Sequence, residues 1–313
     1  MIRATRIVVG LFQWSFYPSV LIFTVWFMSR SLDGLMPPML ATVILFFGNL
    51  GVLTALERWM PFDARWSKAD ESDTKVDAIS LGVLFLVLGP ISTLTPLLVA
   101  QLFLALGKPH DFSLFPASLP FWGQFVLLFV IAEFGHYWMH RLAHTATGLM
   151  RIHAAHHSAR RVYSLNGYRV HPVNVLWAHY ATALPLYLLG ANPRALALYV
   201  IVAGISGSLQ HMNVKLKFGF LNYIFSTPEV HRWHHSTRPE EANKNYGAVL
   251  MIWDHVFGTY YFKKDAVPAR VGLFGQDGSY PLNSYLRQTF APLFWKKWVR
   301  IEENESLRCD GGT

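Results

Sequence analysis

One cysteine in 313 residues removes two function classes at once. Cys309 stands in the polar tail, so the chain has neither a disulfide framework nor a thiolate metal site. Charge is scarce too. Asp, Glu, Lys and Arg make up 15% of the chain and hydrophobic residues 52%, which is too apolar for an ordinary soluble domain. The formal charge of +8 is not gathered into one basic patch, which argues against nucleic acid as a partner. Low-complexity sequence is absent. No small-residue cleavage site follows the basic start MIRATR, so the first apolar run reads as an uncleaved span rather than a signal peptide.

Apolar length is what the chain has. Residues 7–29 form an uncharged run of spanning length, and 38–56 form a second. Residues 78–106 form a third, interrupted by Gly89-Pro90, which reads equally as one kinked helix or as a re-entrant pair. Residues 119–135 form a fourth. Two shorter runs, 173–190 and 195–210, are joined by GANPR and predict a hairpin that dips into the membrane and returns. Beyond 211 the chain is mostly polar, apart from 247–262. Eleven Trp, 23 Phe and 13 Tyr suit a membrane body with interfacial aromatics. The expected fold is an all-α integral membrane protein with about four spanning helices, a short hairpin and a histidine-rich helical cap holding a dimetal site. Its regions are 1–135 (transmembrane helices), 136–262 (the histidine region, including the hairpin 173–210) and 263–313 (a cytoplasmic C-terminal segment).

Charge orients this arrangement. If the N-terminus, 57–77, 136–172 and everything from 211 onward share one face, 24 of the 27 Lys and Arg lie there. Only Arg30, Lys108 and Arg194 lie opposite. The positive-inside rule makes the first face cytoplasmic, and every histidine cluster falls on it. A bacterial inner membrane is the favoured location.

Thirteen of the 14 histidines lie between 136 and 255. EFGHYWMHRLAH places His136, His140 and His144 four residues apart, on one slowly drifting helical face. IHAAHHS carries His153, His156 and His157, and VHRWHHS repeats that spacing with His231, His234 and His235. His171 and His211 stand between the boxes. Neutral imidazole is the commonest protein metal ligand. Eight box histidines exceed the four that tetrahedral zinc takes, so the set suits two ions with four or five ligands each. Nearly all these ligands are neutral, so groups behind them matter. Glu133, at membrane depth, is a candidate for such a role or a partner for Arg141, and Asp254 has similar status. In SLNGYRVHP (164–172), Asn166 and Arg169 could hold a polar headgroup or belong to a solvated loop. Arg160 and Arg161 are expected at lipid phosphate. Trp138, Trp177, Tyr180 and Trp233 either line a lipid route or anchor the chain.

The boxes H-x3-H, H-x2-HH and H-x2-HH, in this order on a membrane body, resemble the fatty acid hydroxylase/sterol desaturase superfamily. HYWMHRLAH, HAAHHS, VHRWHHS and NYGAVLMIWDHVFGTYY (245–261) carry the likeness, from about 120 to 262. The wording is similar to the bacterial sterol-desaturase-like members and to alkylglycerol monooxygenase. The H-x3-H first box departs from the H-x4-H of fatty-acid 2-hydroxylase-like members.

The resemblance implies a non-haem di-iron centre that activates O2, with zinc able to replace iron in purified protein. It implies as ligands His136, His140, His153, His156, His157, His211, His231, His234 and His235, with His144 and His171 as further candidates. Glu133, Asp254 and Asn166 are the candidate catalytic side chains. The implied reaction is hydroxylation, or alternatively desaturation, of a lipid C–H bond. No haem-binding cytochrome domain is fused to the chain, so electrons come from a separate protein or reductant. A zinc transporter would instead place its ligands at the bilayer midplane on broken helices. A bis-histidine haem protein needs only one or two axial histidines and leaves the repeated boxes unexplained.

Overall fold

Runs without charge become long helices, and punctuation between them becomes turns. A computed structural model describes residues 2–68, 73–108, 113–274 and 279–299. His110 and Cys309 lie outside the described residues. The helices are α1 (Ile2–Leu32), α2 (Pro38–Trp59), α3 (Asp73–Ala105), α4 (Phe121–Thr145), α5 (Thr147–His157), α6 (Pro172–Thr182), α7 (Leu184–Leu188), α8 (Pro193–His211), α9 (Pro228–His234), α10 (Pro239–Ala242), α11 (Ile252–Val256), α12 (Tyr285–Phe290) and α13 (Trp295–Trp298). No strand forms among the described residues; three isolated bridges occur, including Phe225 with Leu250 and Ser236 with Val271. Proline opens α2, α6, α8, α9 and α10, where its missing N–H costs nothing.

Among the described residues, three helices are long and apolar enough to cross a membrane: α1 from Arg6, α2, and α3. The stretch around Gly89-Pro90 is not a re-entrant pair, because α3 continues through Pro90 and Pro96 as one helix. α4 carries the fourth apolar run directly into its histidines. The predicted hairpin appears as α6, α7 and α8, with Gly190 in a left-handed conformation at the turn. α8 runs through the middle of the bundle, with Leu198, Ile205 and Leu209 fully buried against Leu53, Leu128 and Leu186.

At 33 residues, α3 is about 50 Å long, against a hydrocarbon core of about 30 Å. Its first turns therefore stand in the cap and bind the 158–170 loop. Asp73 takes Arg161 Nε at 2.5 Å. Asp77 pairs with Arg169 and accepts from Tyr163 Oη. Ser80 Oγ donates to Tyr168 O at 2.8 Å. From α2, Glu57 Oε1 accepts the amides of Ser164 (2.7 Å) and Asn213 (3.0 Å). Arg161 and Arg169 are thus spent inside the protein. Arg169 is 1% exposed, so neither it nor Arg161 is available to a lipid headgroup or phosphate. Removing one partner of such a buried pair costs about 3–5 kcal/mol.

Candidate metal centre

Four helix ends deliver nine buried histidines to one place. α4 brings His140 and His144; α5 brings His153, His156 and His157; α8 ends on His211; α9 brings His231 and His234 and is closed by His235. They divide into two groups, each with its ring nitrogens within 4.8 Å of one another. One is His140, His144, His153, His157 and His234. The other is His156, His211, His231 and His235.

The division does not follow the motifs. In HAAHH, the i and i+4 members (His153, His157) join the five-histidine group and the i+3 member (His156) joins the other. In HRWHH, i and i+4 (His231, His235) join the four-histidine group and i+3 (His234) crosses over. On a helix, i+3 and i+4 diverge by about 100°. One H-x-x-H-H box therefore aims at two points, and two boxes facing each other complete both.

Backbone hydrogen bonds fix which nitrogen is free in four of the rings. Carbonyls can only accept, so His140 Nδ1 donates to Tyr246 O (2.9 Å), His156 Nδ1 to Arg169 O (3.3 Å), His211 Nδ1 to Gly207 O (2.6 Å) and His234 Nδ1 to Lys244 O (2.8 Å). Neutral rings held this way keep a bare lone pair on Nε2. His153 and His144 are oriented through Nδ1 by Asn174 (3.2 Å) and Asn243 (3.2 Å). Burial, then the neighbouring rings, hold His153, His156, His157, His231, His234 and His235 well below the ordinary imidazole range, so these rings are neutral near pH 7.

The free nitrogens then face one another. Nε2 of His211, His231 and His235 form a triangle with edges of 3.0, 3.1 and 3.0 Å. In the other group, His153 Nε2 lies 3.1 Å from His140 Nε2 and 3.2 Å from His157 Nε2. A triangle of like atoms cannot be satisfied by N–H···N bonds, since one edge always joins two donors or two acceptors. His144 Nε2 and His234 Nε2 are buried with no partner at all. A cation at each centre resolves both problems. With metal–nitrogen bonds of about 2.1 Å, ligands at right angles lie about 3.0 Å apart and tetrahedral ones about 3.4 Å. The triangle matches the right-angle set, the kind that leaves positions open beyond its own ligands. The donors present therefore fit two divalent metal ions.

The structure leaves several expected residues outside. His136 sits one turn before His140, half-buried, its ring centroid 5.5 Å from that of His140, and joins neither group. The 40° drift accumulated per four residues carries it off the centre. His171 is occupied elsewhere. Its Nδ1 caps α6 by accepting Val173 N (3.1 Å), and its Nε2 meets Thr289 O (2.8 Å). Asn166 is fully buried, its Oδ1 3.5 Å from Tyr163 N, and it meets no histidine nitrogen. Its neighbour Gly167 matters more. A Cβ there would lie 2.5 Å from Gly207 O and 2.9 Å from His211 Nδ1, so only glycine lets the loop pass this close.

Glu133 and Asp254 act on backbone rather than on the histidines. Glu133 Oε2 accepts the amides of Val249 (2.9 Å) and Leu250 (2.8 Å), and Oε1 accepts Tyr199 Oη (3.2 Å). Arg141, its expected partner, donates instead to Tyr137 Oη at 3.0 Å. Asp254 accepts the amides of Tyr246 (2.9 Å) and Gly247 (2.8 Å) and the hydroxyl of Thr259 (2.6 Å). It thereby holds the peptide whose carbonyl orients His140. Of the aromatics, Trp233 is buried and packs on Tyr261, while Trp177 and Tyr180 face outward. The carbonyls of Tyr246, Arg169, Gly207 and Lys244 had no sequence signal, since any residue supplies one. Asn174 and Asn243 gave none beyond being polar.

Residues 125–259 match the family model described as fatty acid hydroxylase. An ornithine lipid hydroxylase from Rhizobium tropici is 37% identical over 238 residues, 74% of this chain and 71% of that one. An alkylglycerol monooxygenase from Danio rerio is 30% identical over 176 residues, 56% of this chain but 38% of that one. A methylsterol monooxygenase from Arabidopsis thaliana is 25% identical over 178 residues, 56% of this chain and 66% of that one. No solved structure matches.

Proposed function

Because the chain belongs to the fatty acid hydroxylase family and is an oxidoreductase of that kind, we propose that it hydroxylates a C–H bond of a membrane lipid at a di-iron centre. The observation that carries the reading is the pair of buried histidine groups with their Nε2 atoms turned toward one another. Iron at both positions would let O2, two electrons from an external donor and two protons convert a C–H bond to C–OH, with the second oxygen leaving as water.

The chain's own residues set the conditions for that chemistry. His140, His144, His153, His157 and His234 would hold one ion, and His156, His211, His231 and His235 the other. The carbonyls behind His140, His156, His211 and His234 fix the tautomer and direction of those four rings, and Asn243 and Asn174 orient His144 and His153, so these six need little reorganisation when metal enters. The burial of all nine rings keeps bulk water from the reacting atoms. Glu133 and Asp254 hold the 245–250 segment against α4 and the ligand shell. The ornithine lipid hydroxylase relative supports a polar membrane lipid as the substrate class, with an amino-acid-headed lipid the first to assay. The Lys and Arg distribution supports a cytoplasmic site, and the electrons would come from a separate one-electron carrier or reductant.

The test pairs metal analysis with lipid mass spectrometry. Detergent-purified wild type should carry about two metal ions per chain. Membranes containing it should add one oxygen to a lipid, and His156→Ala combined with His234→Ala should lose both properties. Loss of two hydrogens instead of gain of one oxygen would replace hydroxylation by desaturation. Folded protein with no histidine-dependent metal would overturn the reading.

A further inference from the structure

The histidine centre leaves a large groove among the described residues unused. Between α1 and α4 lies an apolar groove of about 660 Å³. Val25 and Trp26 form one wall and Val126 and Phe129 the other, while Val249 and Leu250 lie at the end nearer the cap. Trp26 is 54% and Val126 60% exposed, so the groove opens along the lipid-facing surface. Its α1 wall runs from Leu21 to Asp33, about 18 Å at 1.5 Å per residue. That is slightly more than one leaflet of a core about 30 Å thick.

The far end of the groove lies away from the histidines, beside the start of α4 and α8, and reaches Ser29, Arg30 and Asp33. Ser29 Oγ is buried there with no hydrogen-bond partner. Arg30 is exposed beside it, whereas Asp33 is taken by Arg194. A hydroxyl without a partner and a guanidinium, above a leaflet-length apolar slot, are the donors and the wall that an acyl phosphodiester needs.

We propose that this groove binds one glycerophospholipid from the leaflet opposite the cap, with its phosphate at Ser29 and Arg30 and an acyl chain along α1 and α4. The end of that chain packs against Val249 and Leu250, the two residues whose amides Glu133 holds. The same short segment carries Tyr246, whose carbonyl orients His140. The bound lipid is thus a structural support for the loop behind the metal ligands, separate from the lipid that reacts.

The experiment reads binding alone, without metal or turnover. Full-length protein in mild detergent is assayed for retained phosphorus, and hydrogen exchange of 245–251 is followed before and after stripping and after adding back palmitoyl-oleoyl-phosphatidylglycerol. Val126→Trp and, independently, Val25→Trp should cut retained phospholipid by about tenfold, because each side chain takes the tail's volume. Arg30→Ala should weaken retention while leaving the fold intact. Stripping should speed exchange of 245–251, and the added lipid should slow it again. Wild-type retention in both tryptophan variants, exchange indifferent to lipid, or equal protection by oleic acid would each overturn the proposal.

Discussion

Replacing Asp254 by alanine separates orientation of the metal site from catalysis. The carboxylate accepts the amides of Tyr246 and Gly247 at 2.9 and 2.8 Å in a buried setting. Alanine leaves both amides without acceptors, at about 1–3 kcal/mol each. Part of that cost is relieved if the 245–247 segment rotates, but rotation takes Tyr246 O off His140 Nδ1. Loss of such an outer partner lowers metal affinity by about 10–100-fold. The effect should fall mainly on the five-histidine group, because His211 Nδ1 is held by Gly207 O and, among the described residues, no hydrogen bond joins this loop to the rings of His231 or His235. Chelator competition should therefore show one weakened ion and one unchanged, with Asp254→Asn intermediate since its amide oxygen still accepts. Full affinity for both ions together with abolished turnover would refute the reasoning and return Asp254 to the reacting atoms.

Gly167→Ala should produce the opposite selectivity. Its Cβ would press on Gly207 O and His211 Nδ1, cost about 1–3 kcal/mol as overpacking, and weaken the four-histidine group, which metal titration would show. Acid should destabilise the metal-free protein steeply. Imidazoles in the unfolded chain titrate near 6.5, while His153, His156, His157, His231, His234 and His235 are held well below that in the fold. Below pH 6.5 the unfolded state therefore binds more protons, and stability falls as pH drops, by up to about 1.4 kcal/mol per pH unit for each ring. About one pH unit above 6.5 and higher, these rings add almost no slope. Denaturant midpoints of chelator-treated protein from pH 5 to 8 check the sign, and a flat profile would contradict it.

Helices were legible where physics is local. Uncharged runs gave α1 and α2 nearly to their ends, and four-residue histidine spacing gave the shared face at the end of α4. The Gly89-Pro90 break could not be read from sequence, because whether a helix continues through proline depends on what packs beside it. Histidine identity was legible and histidine employment was not. His171 and His211 both stand alone between boxes, yet one caps α6 and the other enters a cluster, and only the path of α8 decides this. Arg169 reads as a surface cation until α3 is known to bring Asp77 against it. The loop 158–170 is held by charges more than 80 residues away, which no local pattern reveals.

The crossed use of the two H-x-x-H-H boxes has a consequence that motif reading would get wrong. If each box served one ion, His153→Ala with His156→Ala would empty one site and leave the other whole. The structure sends those two rings to different groups, so that pair should damage both. His156→Ala with His231→Ala changes two separate boxes but a single group, and removes half of its four rings. It should leave the five-histidine group loaded, so that metal content falls by about one ion rather than two. Comparing metal content of the two double variants at equal folded fraction distinguishes the schemes. A one-ion loss for the within-box pair and a two-ion loss for the cross-box pair would mean that each box binds its own ion, and the reciprocal geometry would be wrong.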